Sequence, residues 1–256
     1  MYSDVLTSRS DFFKAARKPE WLADPAKPTE LPDEQPEVFA RYLNCVYFGI
    51  QALQIDADAP EDNRHGEESE EEPTPDGFLC SEAEYDLEEP LHKYVQHFNR
   101  YSLILADLYL LADRLQDLET ANLVMDEFIG FSDEGGTIQS GEVIRRVYES
   151  TAHGNPLRKL MRDTCVYDST SSTYMEYHLG YGHPEFARDV MVELLKLRDS
   201  NSTKKVEDVY DKDLSVNKCH YHQHDKSHPR CALEPGDELE PSTIEEQGRS
   251  SAEREV

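Results

Sequence analysis

One stretch of this sequence concentrates residue types that bind metals: Cys219-His220-Tyr221-His222-Gln223-His224-Asp225-Lys226-Ser227-His228-Pro229-Arg230-Cys231. Thiolate sulfur and imidazole nitrogen together hold zinc tetrahedrally. Here they form two pairs, Cys219 with His222 and His228 with Cys231, each pair separated by two residues. Only five residues lie between the pairs, where familiar fingers use roughly 12 or more. A loop that short closes a knuckle and builds no core. Two readings stand: a zinc site held by Cys219, His222, His228 and Cys231, or a His-rich segment that takes up divalent ions adventitiously. His65, His92, His97, His153, His178 and His183 stand singly and suit a surface or core edge better than a ligand set.

Other chemistry is not signalled. The 12 glycines are dispersed, and Gly130 with Gly135-Gly136 lacks the preceding strand and the Lys-Ser/Thr of a phosphate loop. Neither a GxSxG elbow nor an HExxH helix is present. With 53 acids in the chain, close carboxylate pairs arise without catalytic purpose. The expectation is a non-catalytic protein that needs no cofactor beyond the zinc of the first reading.

Charge divides the chain into parts. The 53 Asp+Glu against 26 Lys+Arg give a formal net charge of -27 over 256 residues. Residues 56–89 hold 15 of the acids and a single base, Arg64, and their centre RHGEESEEEPTPDG has no apolar side chain. Residues 201–256 carry 13 acids, 8 bases and few large apolar residues. A mean hydropathy of -0.74 fits a chain of which part lies outside any core, since apolar-poor segments cannot offset the entropy of ordering. The expected organisation is a folded body at about 1–55 and 90–199, an acidic loop between its halves, and a mostly disordered tail from 200 to 256. A chain of pI near 4.6 is a poor ligand for nucleic acid or anionic membrane, both of which select clustered Lys and Arg. The first residues lack the apolar stretch of a signal peptide, and no run reaches the roughly 20 apolar residues of a membrane helix. Five scattered cysteines without such a signal suggest an intracellular, reduced protein, cytoplasmic or nuclear, with Cys45 and Cys165 as small core residues.

The body has helical periodicity. Val5 to Ala16 predicts one helix with Asp4 as its cap, closed by Pro19. Pro28 to Pro32 allows one short edge strand. Pro36 opens a helix with Val38, Phe39, Tyr42, Leu43, Val46 and Tyr47 on one face, ending at Gly49. Pro90 opens a long helix in which Leu91, Val95, Phe98, Ser102, Leu105, Tyr109 and Ala112 recur every three or four residues, with Leu115 one short step on. Asp117 caps the next, which Gly135-Gly136 breaks; further helices cover Glu142–Ser150, a run capped by Asn155 and opened by Pro156, and a last one from Pro184. The fold class expected is mainly α, with at most a small sheet.

Taken in order, these segments resemble a BTB/POZ domain of the kind abundant in filamentous fungi. The likeness is carried by Tyr2 to Phe13, Leu31 to Phe39, Tyr42 to Gly49, and Tyr109 to Leu118; Val143 to Thr151 and Pro156 to Leu160 resemble the helical extension of the same group. The Cys219-His220-Tyr221-His222-Gln223-His224 stretch is similar to a Cys-x-Tyr-His-x-His segment in their tails. The resemblance implies an α+β family domain over about 1–130, interrupted at 56–89, with a helical extension at 137–199. It implies a protein-interaction module, with a cullin ubiquitin-ligase scaffold as one partner and homodimerisation as a family habit. Tyr2 stands where the family usually has His, and the strand hairpin that precedes this point in the family, part of its dimer surface, has no counterpart after Met1. Ala23, in Trp21-Leu22-Ala23-Asp24, replaces the Glu common in cullin-binding members. Phe12, Phe13, Trp21, Phe39 and Tyr47 are the candidate partner-binding residues, since aromatic side chains anchor interfaces. Trp21, between two prolines, is the one least expected in the core.

Overall fold

A computed structural model describes residues 2–18, 20, 29–53, 89–135, 139–167, 183–200, 218–225 and 231. Eight helices hold most of them: α1 Tyr2–Arg9, α2 Asp11–Ala16, α3 Pro36–Phe48, α4 Glu89–Arg114, α5 Leu118–Gly135, α6 Gly141–Ser150, α7 Pro156–Tyr167 and α8 Pro184–Ser200. No strand occurs among the described residues, so the fold is mainly helical as expected, and Thr29 to Leu31 is coil instead of an edge strand. Among the described residues no helix is long and apolar enough to cross a membrane. The acidic loop falls outside the described residues except at Glu89.

α4 is the organising element. From Ile104 to Ala112 every side chain except Asp107 is buried, so the helix is apolar nearly all round and must be enclosed. α3, α5 and α6 pack against it. Its three-residue turn into α5 makes an antiparallel hairpin. That turn is a Schellman motif: Gln116 adopts φ 53, its N–H donates to Asp113 O, and the Asp117 N–H donates to Ala112 O.

The predicted helix from Val5 to Ala16 is in fact two. Ser10 breaks it: its hydroxyl accepts the Phe13 N–H at 3.2 Å, capping α2, and donates to Leu115 O at 2.5 Å. The free N–H groups of Asp11 and Phe12 at the start of α2 donate to Gln116 O and Leu115 O, so the α4–α5 turn satisfies the donors of another helix.

Two buried polar groups fix the rest. Asp117, wholly buried, accepts from Thr120 N at 3.0 Å as the cap of α5, from Thr120 Oγ1 at 2.7 Å and from Tyr42 Oη at 2.9 Å. Arg9 lies 3.5 Å from the same carboxylate, so one side chain joins α1, α3 and α5. Arg158 of α7 does the same for the extension: its guanidinium donates to Thr151 Oγ1 at 2.8 Å, to Glu185 at the start of α8, and to the carbonyls of Tyr148 and Thr151 where α6 ends. It also lies over the Tyr148 ring, 4.5 Å from its centre.

Candidate metal centre

The Cys/His segment is held by the body instead of trailing from it. Of the tail expected at 200–256, residues 218–225 pack onto α4, α5 and α7, while most of the remainder lies outside the described residues. A 3-10 turn at Lys218–His220 delivers Tyr221 into the core, where it is 2% exposed. Its hydroxyl donates to Asp163 Oδ2 at 3.0 Å, and Arg162 holds the other oxygen of that buried carboxylate. Burial first, then the Asp163 charge, pushes the Tyr221 hydroxyl above its ordinary pKa. Asn122 reads Gln223, two residues on, as a backbone would: its amide accepts the Gln223 N–H at 2.8 Å and donates to Gln223 O at 2.9 Å. The Gln223 side chain donates to Tyr109 Oη and Asp113 Oδ1, both at 3.0 Å. Tyr109 in turn donates to Asn155, the cap of α7.

These anchors place the donor atoms. Cys219, His224 and Cys231 each offer one ligand atom, and the three atoms lie within 4.8 Å of one another. Cys219 Sγ is 3.2 Å from His224 Nε2. His222 Nδ1 is 3.2 Å from Cys231 Sγ, and its other nitrogen, Nε2, is 3.0 Å from Asp126 Oδ1 on α5. The His222 side chain is only 8% exposed. The Cys231 thiol is pushed up in pKa, first by lost solvation and then by Cys219 beside it.

The sequence-predicted ligands are thus partly brought together. Cys219 and Cys231 meet, and His222 touches Cys231 without joining the mutually close set; His228 lies outside the described residues, and His224, which the two-residue spacing passed over, joins the thiols. Asp126 and Asn122 were not singled out either, although they stand four apart on α5 and interrupt its apolar series on one face.

The aromatic candidates fare differently. Phe13 is core, and Phe12, Phe39 and Tyr47 are half-buried and packed against it. Phe12, Phe13, Phe39 and Tyr42 form a chain of ring contacts with centroids 5.3, 6.4 and 5.9 Å apart. Trp21 and Ala23 lie outside the described residues. A polar depression between α3, α4 and α6 is lined by Asp33, Glu34, Asp107, Arg114 and Arg146, and both its cations are paired: Arg114 with Glu34 at 2.5 Å and Arg146 with Asp107 at 2.8 Å.

No family model, curated protein or solved structure matches the chain.

Proposed function

We propose that this chain is a non-catalytic protein-interaction module of BTB/POZ type, and that α8 presents a surface through which it binds. The observation that carries the reading is the outer face of α8. Met191, Val192 and Leu195 are 60%, 44% and 42% exposed, while Phe186 and Val190 on the inner face are fully buried. Clustered apolar side chains left in water on an ordered helix mark a contact surface more often than chance. With a net charge of -27, the chain favours a partner whose rim is basic. The buried charged groups Asp117, Asp163 and Arg158 are engaged in joining helices, which suits a scaffold.

The family resemblance makes a cullin scaffold the first partner to titrate. Calorimetry with the amino-terminal domain of a cognate cullin is run on wild type, on Met191→Glu/Leu195→Glu, and on Trp21→Ala. Micromolar binding lost in the α8 variant supports the reading. Binding that survives the α8 variant and fails in Trp21→Ala moves the surface to the Trp21 loop. Absence of heat with a folded chain removes the cullin, and identical capture of proteins by wild type and the α8 variant removes α8.

A further inference from the structure

We propose that Cys219, His222, His224 and Cys231 form a closed structural zinc site that fastens residues 218–225 and Cys231 to the helical body. Four observations lead there independently of the function above.

First, the donor set is of one chemical kind. Two thiols and the His224 imidazole lie within 4.8 Å of one another, His222 Nδ1 stands beside them 3.2 Å from Cys231, and soft sulfur with borderline nitrogen selects zinc over the oxygen-seeking cations. Second, the spacing suits a shared ion. Bond lengths of about 2.3 Å to sulfur and about 2.0–2.1 Å to nitrogen put S and N about 3.5 Å apart on a tetrahedron edge; both N–S separations here are 3.2 Å.

Third, the His222 ring is oriented from α5, with Nε2 3.0 Å from Asp126 Oδ1. That contact turns the opposite nitrogen, Nδ1, toward Cys231 Sγ at 3.2 Å. A carboxylate behind a ligating imidazole is the usual support of such sites. Fourth, His224 Nδ1 is buried and has no hydrogen-bond partner among the described residues, while Nε2 faces a thiol. Nε2 is the atom placed to ligate, since it faces the Cys219 sulfur, itself a zinc donor. With His222 drawn in from beside Cys231, four protein donors would leave no open position, so the role is structural and not hydrolytic. Tyr221, Asn122 and Gln223 position the loop; the metal would close it.

The test uses the full chain, purified with reductant and dialysed, with Zn²⁺ and Co²⁺ as probes. Metal is counted by mass spectrometry, and cobalt reports geometry through its visible bands and thiolate charge transfer. The expected result is one zinc per chain and a tetrahedral cobalt spectrum with two thiolates. Cys219→Ser, Cys231→Ser and His224→Asn should each abolish stoichiometric retention, and His228→Asn should leave it intact. Asp126→Asn should keep one zinc at saturation with affinity lowered about 10- to 100-fold. Cys231 is exposed at the margin of the body, so its serine variant is expected to retain wild-type circular dichroism, which separates metal loss from unfolding. The proposal is overturned by a wild type that holds no zinc, by equal zinc in wild type and Cys231→Ser (an adventitious ion only), by a six-coordinate cobalt spectrum, or by loss on His228→Asn with retention on His224→Asn.

Discussion

Tyr221 gives the sharpest test of whether residues 218–225 belong to the folded body. Its hydroxyl is one of two donors on Asp163, a carboxylate that is 1% exposed. Replacing it with Phe keeps the ring and strands one carboxylate oxygen away from water. A hydrogen bond to a charged group is worth about 1.5–3 kcal/mol. The segment can leave while the helices stay folded, so the loss appears in local opening and not in the global transition. At 1.4 kcal/mol per tenfold, opening should become about 10- to 150-fold more favourable. Amide exchange read by mass spectrometry on the peptide spanning Lys218 to Asp225, in chelator so that no metal holds it, measures this directly. Tyr221→Ala, which also removes a buried ring worth about 3–5 kcal/mol, should free the peptide entirely. The same contact predicts alkaline sensitivity. Because burial and Asp163 raise the Tyr221 pKa, docking is complete below the ordinary tyrosine value near 10.0 and is lost as pH climbs toward the folded value. Exchange in Tyr221→Ala indistinguishable from wild type would refute the docked segment.

Three further outcomes follow from the helical body. Asp117→Ala removes the α5 cap, the acceptor of Tyr42 and one of the two carboxylates beside Arg9, which keeps Glu119, at a cost of about 3 kcal/mol, or about 6–12 °C in Tm for a body of this size; thermal melts should show Asp117→Asn losing less. Gln116→Gly relieves a left-handed residue at φ 53 and should raise the urea midpoint by up to about 1 kcal/mol of stability, where an unchanged or lower midpoint would mean the turn is not strained. Burial pushes the Cys165 thiol from 9.0 up to about 12 and Cys45 up to about 11. Both should therefore resist alkylation at pH 8 until urea is added, and their contribution to stability should fall away above about pH 9, as urea midpoints measured at successive pH values would show.

What the sequence made legible were features written in residues at one place. Pro36, Asp117 and Asn155-Pro156 each act within a turn of their own position, and each begins a helix where expected. The three- to four-residue recurrence through Phe98, Ser102, Leu105, Tyr109 and Ala112 identified α4 because it is a property of one helix. The break at Ser10 was hidden for the opposite reason. Its hydroxyl bonds Leu115 O, 105 positions away, and that carbonyl is free only because α4 has ended in a turn. Thr29 to Leu31 had the look of a strand, but a strand exists only with a neighbour to pair with, and no other extended pair is present among the described residues.

The choice among the histidines shows the same limit at the candidate site. Spacing could propose that Cys219 pairs with His222 because both lie on one local turn, and it matched His228 to Cys231 by the same rule. It had no means of ranking His224, whose place depends on where Gln223 is pinned. That pin is Asn122, and the residue one turn further along α5, Asp126, fixes the ring of His222. With Gln223 bonded by its backbone to one helix and its side chain to Tyr109 on another, the residues on either side must both be carried toward α5. His222 and His224 accordingly sit with ring centroids 6.0 Å apart, each with one nitrogen 3.2 Å from a thiol. Replacing Asn122 with Ala therefore separates the two sources of order: a cluster assembled by spacing alone would keep its metal affinity, and one assembled by α5 would lose it while Cys219, His222, His224 and Cys231 remain unchanged in sequence.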